Sequence, residues 1–106
     1  MSVLNRKQIT LNELAKLIGE VRGGKDLGYH NIFIIHKDSN WILEVSINFF
    51  GVIHFKVHKF SNEKWIGASG IKIVEDRIVT DFEIPKKIKD RVWQTITFLS
   101  KKHILY

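Results

Sequence analysis

The sequence predicts an α+β fold: an antiparallel sheet, about a five-stranded meander, flanked by an N-terminal and a C-terminal helix packed on one face. Three observations carry that reading. A capping signal near the N-terminus opens an apolar period of helical spacing, a period of two runs from Asn31 to Ile84, and a second helical stripe follows Pro85. A chain of 106 residues is read as a single domain over 1–106.

The first helix begins at Thr10-Leu11-Asn12-Glu13, where hydroxyl and carboxylate can satisfy each other's backbone N–H groups. Leu11, Leu14, Ala15, Ile18 and Val21 then recur on one face, and Gly23-Gly24 supplies a left-handed stop. Asn31–Lys37 is rich in β-branched and aromatic residues and reads as the first strand. Asp38-Ser39-Asn40 is turn chemistry, and Trp41, Leu43, Val45, Ile47 and Phe49 alternate as the second strand. Ile53, Phe55 and Val57 repeat the alternation as the third. A loop Phe49-Phe50-Gly51 between these two strands pairs Ile47 with Ile53, Val45 with Phe55 and Leu43 with Val57. The same register sets Ser46 opposite His54 and Glu44 opposite Lys56, so opposite charges meet across the strands. A slip by one residue would mix the two faces.

Ser61-Asn62-Glu63 reads as a turn and Trp65–Val74 as the fourth strand, with Gly67 and Gly70 marking a bulge or a close approach. Glu75-Asp76 turns the chain into a fifth strand, Arg77–Ile84. Pro85 suits the first position of a helix, whose stripe is Ile88, Val92, Ile96 and Leu99. Trp93 is expected in the core, and Lys101-Lys102-His103 complement the helix dipole.

The chain contains no cysteine, which excludes disulfides, thiolate metal sites and cysteine nucleophiles. No stretch is apolar for long enough to span a membrane, and Met1–Arg6 lacks the apolar run of a signal peptide, so a cytoplasmic (intracellular) protein with no membrane contact is expected. The net charge is +6, unevenly placed. Residues 85–106 carry six basic side chains against Asp90 alone, whereas residues 26–84 carry six against eight acids. The basic ends of the chain are therefore the expected attraction for a polyanion.

Two surfaces stand out as candidate binding sites. On the C-terminal helix, Phe98 points away from the apolar stripe among Lys87, Arg91, Gln94, Lys101 and Lys102, as a base-stacking or interface residue would; packing of Phe98 into the core is the structural alternative. On the outward face of the third strand, His54, Lys56, His58 and Phe60 alternate cations and rings in the manner of single-stranded nucleic-acid sites. Glu44 beside Lys56 counts against that use, and a solvated face of polar residues is the plainer expectation there. Lys64-Trp65-Ile66-Gly67-Ala68-Ser69-Gly70-Ile71, within Phe55–Ile73, resembles in its glycine and aromatic placement the strand-rich region of a family of single-stranded-DNA-binding transcriptional coactivators. That family also ends in a helix after a curved antiparallel sheet. Here a whole extra strand, Arg77–Ile84, intervenes, and no residue role is carried over.

Catalytic readings fail on spacing. His54 and His58 are four residues apart on a strand, roughly 13 Å at ~3.3 Å per residue, too far to flank one phosphate or share one metal ion. His30 and His36 have no acid at a readable spacing. Gly23-Gly24-Lys25 with Gly28 follows a helix rather than a strand and lacks the Lys-Ser/Thr ending of a phosphate loop. A non-enzymatic binding protein without metal or cofactor is expected, engaging nucleic acid first. The alternative is an inhibitor or adaptor that docks its basic surface on an acidic protein.

Overall fold

The chain was analysed as a computed structural model, which describes residues 8–22, 31–47 and 52–102. Two helices and five strands follow in the order α1 (Leu11–Arg22), β1 (Asn31–Lys37), β2 (Trp41–Ile47), β3 (Ile53–Ser61), β4 (Lys64–Val74), β5 (Arg77–Val79) and α2 (Lys86–Lys101). The strands form one antiparallel meander, β1-β2-β3-β4-β5. The α+β class and the strand order are those read from the sequence.

The capping box forms as the sequence requires. The Glu13 N–H donates to Thr10 Oγ1 at 3.2 Å, and the Thr10 N–H donates back to Glu13 Oε1 at 3.5 Å. Leu14 and Ile18 then point into the core, both fully buried, each worth about 1.5–3 kcal/mol of transfer from water. From α2, Ile88, Val92 and Leu99 enter the same core. They meet Leu43, Val45, Ile47, Phe55 and Val57, the odd-numbered face of β2 and β3, so both helices cover one side of the sheet. The β2–β3 register is the one derived from charge and loop chemistry, with Glu44 opposite Lys56 and Ser46 opposite His54.

Two hairpins turn on non-glycine residues with positive φ: Asn62 and Glu63 at 50° and 66°, Glu75 and Asp76 at 49° and 66°. Consecutive positive φ values are the signature of the two-residue turn whose twist matches antiparallel strands. Two bulges interrupt the pairing. One sets Ile35 as the extra residue of β1, the other Ile66 as the extra residue of β4, beside Gly67.

Several expectations are corrected. The fifth strand stops at Val79 rather than Ile84. Beyond it the Asp81 N–H donates to Ser69 Oγ at 2.8 Å, Thr80 Oγ1 donates to the Phe82 carbonyl, and Phe82 packs on Trp41, which carries the chain over the helix side toward α2. Pro85 is the residue before α2 rather than its first. Trp93 is half-buried at the helix surface rather than in the core, while Thr95 is fully buried, its hydroxyl donating to the Arg91 carbonyl at 2.7 Å. The Gly23-Gly24 stop, the Phe49-Phe50-Gly51 loop, His30 and His103 lie outside the described residues.

Candidate nucleic-acid interface

The two candidate surfaces lie on opposite sides of the sheet, so they do not combine into one site. On α2, part of the cationic set is engaged within the protein. Lys87 Nζ meets Asp38 Oδ2 at 2.7 Å. Arg91 is half-buried and donates from Nε to the Ile35 carbonyl at 2.9 Å, and burial pulls its guanidinium below its ordinary pKa. Phe98 is half-buried against the core, with Lys102 Nζ 5.7 Å above its ring. Lys101 and Lys102 remain exposed. An open cleft of ≈550 Å³ is lined by Leu11, Asp90, Trp93, Gln94, Thr97, Phe98 and Lys101.

Asp38 is the anchor of this side. Its Oδ1 accepts the N–H groups of Asn40 and Trp41 at 2.8 and 2.9 Å, and its Oδ2 meets both Lys87 and His36 Nε2 at 2.7 Å. His36 is therefore paired with an acid, contrary to the sequence reading. The signal was present: residues two apart at a strand end share a side. Burial works against the charge on Asp38, but Lys87, His36 and the two backbone donors outweigh it and hold the carboxyl well below the usual carboxylate range.

The opposite face is built by the even-numbered residues of β2 and β3 and by their neighbours on β4. In rows across the strands, Phe60 stands opposite Trp65, His58 opposite Ala68 and Lys56 opposite Gly70. Lys72, one residue beyond the core-facing Ile71, joins His54 and Lys56 around a cleft of ≈370 Å³ that Ile32, Ser46, Gly70 and the carboxylate-bearing Glu44 also line. Lys72 pairs with Val79 on β5, and Val74 with Arg77, so these four side chains extend the same face. His54, Lys56, Lys72 and Arg77 are exposed, and among the described residues none of the four forms an ion pair.

Within this face the predicted patch divides. His54 and Lys56 are exposed as expected, but His58 and Phe60 are buried. Phe60 joins Ile34 and Ile42 in a small second core. His58 lies between two partners. Its Nε2 is 3.2 Å from Glu44 Oε2, and its Nδ1 accepts the Trp65 indole N–H at 3.2 Å. Both His58 and Glu44 are only 5% exposed, whereas Trp65 is 58% exposed. Because an indole nitrogen can only donate, Nδ1 must accept, and the ring hydrogen sits on Nε2, directed at the carboxylate. Glu44 thus stands opposite Lys56 as expected and lines the same cleft, but it is buried and also meets His58. Trp65 was not among the site residues expected from the sequence. The β4 bulge at Ile66 is what brings its indole within reach of His58; Gly67 marked a bulge in this strand, but not which side chain it would turn toward His58.

Among the described residues no three His, Asp or Glu side chains gather into a metal-binding group, and no helix is long and apolar enough to cross a membrane. Compared with protein-family models, curated proteins and solved structures, the chain matches none, so the likeness to the coactivator family has no support from them.

Proposed function

We propose that the protein is a non-enzymatic binding domain that takes nucleic acid on the sheet face turned away from its helices. The observation that carries this reading is the run of exposed basic side chains Lys56, Lys72 and Arg77, with the His54 imidazole beside them; none forms an ion pair among the described residues, and Glu44, which lines the same cleft, is turned to His58. Cations whose charge is not spent within the protein attract phosphates and release counterions on binding. Extended backbone holds Lys56 and Lys72 on adjacent strands around one shallow cleft, so they act on the same stretch of polyanion. The cations of α2 serve this role less well, because Lys87 and Arg91 already hold the β1–β2 turn and the β1 backbone.

A second reading rests on the other side of the molecule. The cleft lined by Leu11, Trp93 and Phe98 beside Lys101 suits an inhibitor or adaptor docking on an acidic protein, with rings for anchorage and lysines for attraction. One titration separates the two. A short mixed-sequence oligonucleotide is added to isotopically labelled protein and backbone amide shifts are followed. The first reading expects the largest changes at Lys56, Gly70 and Lys72; changes centred on Leu11, Gln94, Thr97 and Lys101 favour the second surface. The absence of any change at low salt overturns nucleic-acid binding.

A further inference from the structure

We infer that Trp65 is a fixed stacking platform, held in place by the buried His58–Glu44 pair, and that the ligand is therefore single-stranded nucleic acid. The inference rests on the reading of the sheet face as a nucleic-acid surface, and adds to it which strand form is taken and why. A tryptophan 58% exposed at the surface of a small protein ordinarily samples several orientations. Trp65 is tied instead by its indole N–H to His58 Nδ1, and His58 is tied in turn to Glu44. A buried acid and imidazole are costly to desolvate, and here their visible product is the orientation of one exposed ring. Across the sheet Ile42 and Ala68 face His58, and Lys56 and Ile34 flank Glu44.

The platform lies in line with the cations. From Trp65 to Lys72 along β4, with Ile66 taken up by the bulge, six regular steps at ~3.3 Å per residue span roughly 20 Å. The side chains between them on that face are Ala68 and Gly70, and a Cβ at Gly70 would meet nothing within 4 Å, so a strand can lie close to the sheet there. A base stacked on the Trp65 ring would leave its neighbours' phosphates running toward Lys56 and Lys72. Stacking requires an open base face, which a duplex buries within its own stack and a single strand presents freely. The platform therefore selects single strands, while the lysines attract either form.

The test measures affinity for a single-stranded 12-mer and for its duplex by fluorescence anisotropy at two salt concentrations. Trp65→Ala is expected to weaken single-strand binding on the order of tenfold, to leave the salt dependence unchanged and to abolish the preference over duplex. His58→Leu, which removes both hydrogen bonds, is expected to reproduce most of that loss, and His58→Gln, which can still accept from the indole and donate to Glu44, to restore it. The Trp65 indole N–H resonance, assigned by its absence in Trp65→Phe, should move in His58→Leu and return toward its original position in His58→Gln. Salt-dependent binding by the unaltered protein that Trp65→Ala leaves intact overturns the platform while preserving the nucleic-acid reading. Loss in Trp65→Ala with no loss in His58→Leu overturns the positioning role of His58. Absence of salt-dependent binding by the unaltered protein overturns the underlying reading itself.

Discussion

Asp38 shows how one side chain can join three elements. It closes the β1–β2 turn through two backbone N–H groups and reaches α2 through Lys87. Its carboxyl titrates below its ordinary value of 3.8, so its folded form favours ionisation. A carboxylate with a depressed folded pKa stabilises the protein fully above the unfolded value and loses that contribution as pH falls through the folded one. Asp38→Asn should therefore lower the melting temperature at pH 7, and the gap to the unaltered protein should close as pH falls below about 4. Melting temperatures that differ equally at pH 7 and pH 2.5 contradict this account. Thr10 works on a smaller scale. Thr10→Ala removes the hydroxyl that caps α1 and should cost about 1 kcal/mol in chemical denaturation; an unchanged midpoint would mean the cap bears no load. The Thr10 cap was legible from four letters of sequence because both its partners are local. The Asp38–Lys87 bond was not, since it joins residues 38 and 87 and depends on how α2 docks.

At the scale of elements, the β2–β3 hairpin was the most legible part of the fold. Its apolar alternation and the meeting of Glu44 with Lys56 pointed to one register, and Cα pairing follows that register throughout. The same register already held the His58–Glu44 contact, because residues diagonal to one another on a face lie within reach of long side chains. Facing pairs alone do not show it, since His58 stands opposite Ile42. The length of β5 was illegible for another reason. Arg77–Ile84 alternates like a strand, but the Asp81 N–H bonds to Ser69 Oγ rather than extending the ladder, and side-chain capture of a backbone group leaves no period in a sequence. The β4–β5 turn offers a direct check of hairpin chemistry. Glu75 and Asp76 both hold positive φ, at a cost that Asn and Gly avoid. The double substitution Glu75→Asn and Asp76→Gly should raise stability by about 1 kcal/mol, read from the urea midpoint. A lowered midpoint would show that these side chains contribute more than their backbone strain costs.

At the scale of the molecule, the uneven charge along the chain does not map onto one surface. The C-terminal excess that the sequence displays is partly consumed in docking α2, through Lys87 on Asp38 and Arg91 on Ile35, while the central strands, slightly acidic by count, present free cations on the opposite face. Of the acids in the middle segment, Asp38 is bound to Lys87 and His36, Glu63, Glu75 and Asp76 sit in turns, and Glu44, buried beside His58, is the one that lines the cleft with Lys56 and Lys72. A count along the chain cannot separate a spent charge from a free one; only the folded arrangement does. As proposed, Lys56 and Lys72, rather than Lys101 and Lys102, would bind the nucleic-acid backbone. That proposal is tested most directly by the slope of log Kd against log salt for a single-stranded oligonucleotide. Each phosphate contact contributes ~0.7 to that slope, so Lys56→Ala with Lys72→Ala should lower it by about 1.4, while Lys101→Ala with Lys102→Ala should leave it near its original value. A slope unchanged by the first pair and lowered by the second would contradict the account.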